Sequence, residues 1–301
     1  MFWTRLFSGI ILVILAAVSI AAGSAVLFTV LLAVSIIGMN ELYRATGVHQ
    51  KDFGPLEIAG YAGAVGYYLT LLWRQGEEVS LVILLFALVL IMCVYVFTYP
   101  KYQAEQVMAA MFGILYVAVM LSYIYKTRNL EGGIWLVVLI FLSSWGSDTC
   151  AYCVGRLIGK HKMAPVLSPK KSIEGAVGGV AGAALLGAAY AMIIAGVNPA
   201  QGHTPLMYAL ICTVGALISM VGDLAASAIK RNKGIKDYGT LIPGHGGILD
   251  RFAETGADPE KLTEKQGREF LRFANAVAGI CVERRGGIPA MPSLEEVQKE
   301  L

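Results

Sequence analysis

Charge is scarce in this chain of 301 residues: 15% are Asp, Glu, Lys or Arg, and none lies between Arg5 and Glu41. Together with 56% hydrophobic residues and a positive mean hydropathy, that scarcity excludes an ordinary soluble domain and places the chain among polytopic membrane proteins. The net charge of +3 is too small to make nucleic-acid binding a property of the whole chain, and no nucleic-acid partner is expected. Cysteine is rare too, with five in all, and four of them fall in apolar runs where thiols act as small hydrophobes. Cys150 and Cys153 form a C-x-x-C, but no βαβ pattern surrounds it and no second pair completes a zinc site, so packing is the reading for both.

What is abundant is uncharged runs near the ~20 residues needed to cross ~30 Å of hydrocarbon. Gly23-Ser24 interrupts the first run near its middle, which predicts a hairpin of two spans. Further spans are predicted at about 57–73, 79–98, 105–125, 134–157, 175–196 and 205–229, eight in all. Lipid does not tolerate exposed backbone, so the fold class is all-α, a polytopic integral membrane protein. The start, MFWTR and an apolar run, has the outline of a signal peptide, yet so many spans follow that a retained first helix is expected. With the N-terminus in the cytoplasm, loops on that side collect Arg5, Arg44, Lys51, Lys101, Arg156, Lys160, Lys162, Lys170, Lys171, Lys230, Arg231, Lys233 and Lys236. The other face holds only Arg74, Lys126 and Arg128 before the tail, the asymmetry that the positive-inside rule requires of a multi-pass cell-membrane protein. Reading residues 6–40 as one span would break that alternation. The stretch 175–196 is dense in Gly and Ala, which lets helices approach closely and marks a scaffold helix.

Asp223 lies in ALISMVGDLAASAIKR, where a carboxylate is costly enough to call for a function or a buried partner. At 100° per residue Ser227 and Lys230 share its face, so the alternative is a structural Asp–Lys pair closing the helix end. Beyond that helix Gly239, Gly244, Gly246 and Gly247 surround Pro243 and His245, a loop whose amides can approach an anion, with Lys230-Arg231, Lys236-Asp237 and Asp250-Arg251 on its flanks. A second constellation runs through Asp148, Tyr152, Gly155, Arg156, Lys160, His161 and Lys162 to Ser168-Pro169-Lys170-Lys171-Ser172 and Glu174-Gly175. Ser172 also reads as a helix cap and Glu174 as a first-turn acid. The loop lysines serve equally as topogenic charge or as a screen for phosphates.

The stretch SAIKRNKGIKDYGTLIPGHGGILDR, 227–251, resembles the signature of the phosphatidate cytidylyltransferases (CDP-diacylglycerol synthases). Ser227, Lys230, Arg231, Lys236, Asp237, Pro243, His245, Gly246, Gly247, Asp250, Arg251 and Phe252 match it, whereas Ala253 stands where the signature ends in Asp. The constellation from Asp148 to Gly175 resembles that family's other characteristic region. The resemblance implies transfer of a cytidylyl group from CTP to phosphatidic acid at the bilayer, giving CDP-diacylglycerol and pyrophosphate. It implies Mg²⁺ held by Asp223 and Asp250, with a second metal ion left open, and a catalytic set completed by Lys230, Lys236 and Asp237. It further implies substrate contacts from Asp148, Tyr152, Arg156, Ser168, Lys170, Lys171, Ser227, Arg231, His245, Gly246, Gly247 and Arg251, and it is compatible with a homodimer. The choice of CTP rests on the resemblance, since no spacing identifies a cytosine pocket.

Two units are expected: a membrane-embedded cytidylyltransferase domain over 1–252, and a cytoplasmic tail over 253–301. From Ala253 the chain is polar, and its one apolar run, Phe270 to Val282, is too short to span. The piece FLRFANAVAGICVERRGGIPAMPSLEEV resembles the extreme C-terminus of a ribokinase-like (PfkB) sugar kinase, whose nucleotide-binding core is absent. The expectation is a cytidylyltransferase lacking its last helix joined to a kinase remnant, loosely attached and outside the bilayer, which leaves an inactive scaffold as an alternative. An ion-coupled transporter using Asp148 and Asp223 is the other alternative; it predicts internal repeats, and none is evident.

Overall fold

The computed structural model describes residues 2–72, 77–197, 204–239 and 247–252. The described helices all lie in one compact unit, Met1–Ala257, and no residue beyond 252 is described. Everything expected of the tail therefore lies outside the described residues.

Each of the eight apolar runs is helical. The first breaks where a hairpin is predicted, into α1 (Phe2–Ala22) and α2 (Ser24–Thr46), with Gly23 at φ 64°, a conformation that favours glycine. Arg128 closes that corner: its Nε donates to the Ile20 carbonyl at 2.8 Å, satisfying an acceptor that the end of α1 leaves open. There follow α3 (Pro55–Leu72), α4 (Glu77–Phe97), a long helix built of α5 (Ala104–Gly113), a π turn (Ile114–Val119) and α6 (Met120–Arg128), and another built of α7 (Gly133–Phe141), a π turn (Leu142–Gly146) and α8 (Ser147–Ile158). The last long helices are α9 (Ile173–Val197) and α10 (Pro205–Asn232), and a short α11 (Ile248–Phe252) follows. Six of these are long and apolar enough to cross a membrane: Ala25–Thr46, Glu78–Phe97, Ala104–Arg128, Gly133–Ile158, Ile173–Gly196 and Pro205–Asn232. The other two expected spans, α1 and α3, are helical as well. In α3 a fully buried Glu57 is held by His49 Nδ1 and Tyr61 OH, both at 2.8 Å, which removes much of the cost of placing an acid there. Phe86, Leu85, Val89 and Val96 on α4 are exposed, as suits residues that face lipid.

The all-helical expectation has one local exception. The basic segment after α8 folds into an antiparallel hairpin of β1 (Lys162–Ala164) and β2 (Ser168–Ser172), with Lys162 opposite Ser172.

Two cores organise the bundle. One joins α2–α6 through Met39, Leu42, Tyr43, Leu56, Tyr67, Tyr68, Ile91 and Ile114, and extends to Ala226, Tyr238 and Leu249. The smaller joins α7, α9 and α10 through Leu139, Ala183, Ala191, Tyr208, Cys212 and Ala216. Glycines set the spacing of α8 and α9: a Cβ on Gly178 would lie 2.6 Å from the Val154 side chain, and one on Gly179 would lie 2.8 Å from the Ser147 carbonyl. That close approach is the work expected of a small-residue scaffold helix. Cys150 packs against Gly182, and the four described cysteines are free thiols.

Candidate active site

The site begins on one face of α10. Asp223 and Ser227 are buried, and Lys230 continues their row one turn further on. Lys230 does not close the helix end by pairing with Asp223. Asp223 Oδ2 instead meets the Lys171 ammonium, brought in from β2, while Lys230 Nζ donates to Asp250 Oδ1 at 3.0 Å. The α10 face therefore carries Asp223 at one end and, through Lys230, Asp250 at the other. The π turn at Ile114–Val119 braces this region from the first core, its Tyr116 OH donating to the Gly222 carbonyl at 2.8 Å.

Asp250 is an organiser of backbone. Its Oδ2 accepts from the amides of Tyr238 at 2.6 Å, Gly247 at 3.0 Å and Gly239 at 3.4 Å, so both ends of the glycine-rich segment converge on one buried carboxylate. Tyr238 is locked beside it, its OH donating to the Ala226 carbonyl at 2.9 Å. Burial pushes the Tyr238 phenol above its ordinary range, helped by Tyr116 and by the Asp250 charge. Gly247 is thus placed; His245, Gly246 and the Arg251 side chain lie outside the described residues. Lys236 and Asp237 are exposed beside this clasp, and Arg231 is half-buried.

The second constellation forms a basic wall opposite α10. Ser172 caps α9, its Oγ accepting from the Gly175 amide at 3.1 Å. Glu174 does more than supply first-turn charge. Its carboxylate accepts from the Lys160 amide at 3.1 Å, the His161 amide at 3.2 Å and His161 Nδ1 at 2.6 Å, which ties the hairpin's start to α9. On α8, Arg156 Nη1 donates to the Tyr152 hydroxyl at 3.0 Å, and both side chains are exposed. Ser168 Oγ is buried with no hydrogen-bond partner among the described residues.

Two cavities adjoin these groups. One, of about 380 Å³, is walled by apolar residues of α1 and α2, including Leu12, Leu15, Ala16, Leu27 and Leu31, and ends at Ser144, Asp148, Ser219, Asp223 and Ile248. The other, of about 410 Å³, lies between α8, β2 and α9 and is lined by Asp148, Tyr152, Arg156, Lys170, Lys171 and Ser172. Asp148 belongs to both. It lies two residues past the π turn at Leu142–Gly146, an extra-residue distortion of the kind found at functional sites.

No group of three or more His, Cys, Asp or Glu suited to a metal occurs among the described residues. What is present is Asp148 and Asp223 on one cavity with the hydroxyls of Ser19, Ser144 and Ser219, hard oxygens of the kind that Mg²⁺ takes. The sequence reading missed Glu41, a buried acid of α2 whose carboxylate accepts from the Ile248 and Leu249 amides at the start of α11. The available signal was an acid closing an otherwise uncharged run.

The profile of the Cytidylyltransferase family matches residues 3–253. Among its relatives, the phosphatidate cytidylyltransferase of Bacillus subtilis (strain 168) is 31% identical over 234 residues, 75% of this chain and 83% of that protein. The phosphatidate cytidylyltransferase of Staphylococcus saprophyticus is 33% identical over 201 residues, 65% of this chain and 75% of that protein.

Proposed function

The chain belongs to the cytidylyltransferase family, and on that premise we propose that it joins the cytidylyl group of CTP to phosphatidic acid held in the bilayer. The observation that carries the reading is the place of Asp148 on both cavities. An apolar cleft walled by membrane helices suits acyl chains, and a cavity edged by Arg156, Lys170 and Lys171 suits a triphosphate. Lipid phosphate and nucleotide phosphate would then approach each other across Asp148 and the Lys171–Asp223 pair.

The chemistry follows from the reactants. A phosphate oxygen of phosphatidate attacks the α-phosphorus of CTP; the bond from that phosphorus to the α,β-bridging oxygen breaks, and its electron pair leaves on pyrophosphate. The attacking group is already an anion, so no side-chain nucleophile is required, and positioning and charge compensation dominate. Arg156, Lys170 and Lys171 offset the phosphate charge. Asp223 would hold Mg²⁺ with Asp148 beside it on the shared cavity; Asp250, the second ligand that the resemblance implies, lines neither cavity and has both oxygens engaged, by Lys230 and by three amides. When bound, Mg²⁺ neutralises charge that develops on the phosphates. The basic hairpin and the clasp at Asp250 face the cytoplasm in this reading, where CTP is found.

Purified chain in detergent with CTP, phosphatidate and Mg²⁺ tests the proposal. The expected result is pyrophosphate and a cytidylylated lipid in equal amounts, both lost in Asp223→Asn. Absence of any nucleotide-lipid product from the unsubstituted chain overturns it.

A further inference from the structure

We infer that Glu41 is a positioning residue of this site, one that sets the place of Asp250 from a helix far away in sequence; the inference rests on the transferase reading for its effect on turnover. Glu41 Oε1 accepts from the Ile248 amide at 2.9 Å, and Oε2 accepts from the Leu249 amide at 2.7 Å. The carboxylate thus takes up the first two donors of α11, groups that a helix start leaves without internal partners. It is 6% exposed, so these are charge-assisted bonds in a site largely shielded from water.

The glycines on either side of the segment show how closely this carboxylate fits. A Cβ on Gly239 or on Gly247 would collide with the Glu41 carboxylate. A side chain at either position would have to displace the acid of α2 and with it the two bonds to Ile248 and Leu249. Asp250 gathers Tyr238, Gly239 and Gly247 from one side and Glu41 gathers Ile248 and Leu249 from the other, so five successive or neighbouring amides are shared between two acids. Asp250 cannot shift without the turn that Glu41 holds, and that turn is fastened to α2 and so to the larger core. Since α2 also walls the apolar cavity through Leu27, Val30, Leu31 and Val34, the same helix that would face the lipid fixes the turn that Asp250 organises.

The test compares Glu41→Gln with Glu57→Gln, a second buried acid, which is engaged with His49, Tyr61 and Asn40 and makes no bond to this turn among the described residues. Glutamine keeps the shape of Glu41 but replaces one acceptor by an NH₂ that faces an N–H donor. Hydrogen exchange at Ile248 and Leu249 should quicken in Glu41→Gln and stay unchanged in Glu57→Gln. Turnover in Glu41→Gln should fall on the order of 10²-fold with little change in either KM, the pattern of a misplaced group and not of lost binding. The damage from Gly247→Ala should be smaller in a Glu41→Ala background than in the parent, because the collision is gone. Unchanged exchange at 248–249 overturns the clasp, and quickened exchange with normal turnover overturns the positioning role. An unsubstituted chain inactive on CTP and phosphatidate refutes the transferase reading instead, and exchange together with the Gly247 coupling then decides the inference about Glu41.

Discussion

Replacing Lys171 by Met should damage this protein more than neutralising its partner Asp223, although the two form one ion pair. The Asp223 side chain is 6% exposed and that of Lys171 is 17% exposed, opening on the basic cavity. Lys171→Met leaves a buried carboxylate with its counter-charge removed and with Asp148 on the same cavity wall, a situation that costs about 3–5 kcal/mol. Asp223→Asn leaves an ammonium on a flexible stem that can turn toward cavity water, and the cost should be nearer ~1 kcal/mol, that of one hydrogen bond. The double substitution should cost about 1 kcal/mol less than Lys171→Met alone, a coupling of about 2 kcal/mol. Unfolding of the four proteins in one detergent, followed by circular dichroism, reads the cycle, and pyrophosphate release measured in parallel should be lost in all three variants. Equal destabilisation by both single changes, or additive losses in the double, would refute the reasoning that the acid is the buried, dependent partner.

Three further outcomes are expected. Asp250→Asn should abolish turnover while leaving membrane insertion intact, and it should quicken hydrogen exchange at Tyr238, Gly239 and Gly247, whose amides lose their shared acceptor. Gly179→Val should push α9 from α8, costing about 1–3 kcal/mol and lowering activity through Asp148, whereas Gly196→Ala, with open space at its Cβ, should be neutral or mildly stabilising by circular dichroism. A cysteine at position 170 should resist an impermeant thiol reagent added outside intact cells and react after permeabilisation; labelling from outside would reverse the proposed orientation.

The membrane helices were legible because lipid leaves an apolar run of ~20 residues few alternatives to helix, and Gly23 was legible as a break because it interrupts such a run. Spacing put Asp223, Ser227 and Lys230 on one face, and that holds. Spacing could not reveal their partners: Lys171 reaches Asp223 from 52 residues away, and Glu41 reaches Leu249 from 208 away. The two π turns, at Ile114–Val119 and Leu142–Gly146, were invisible because one extra residue within a long helix leaves no mark in residue type or spacing. The hairpin at Lys162–Ser172 was read as a loop because lysines and Pro169 carry no alternating apolar pattern. The two cavities depend on how α1, α2, α8 and α9 meet, which no local pattern encodes.

The claim that the two cavities hold the two substrates and meet at Asp148 is tested most directly by measuring both KM values in variants of each wall. Ala16→Trp, which fills the apolar cavity, should raise the KM for phosphatidate and leave that for CTP, and Arg156→Ala on the basic cavity should raise the KM for CTP and leave that for phosphatidate. Asp148→Asn should lower kcat with either substrate varied. If Ala16→Trp and Arg156→Ala each raise both KM values alike, or exchange their expected effects, the two-cavity account is contradicted.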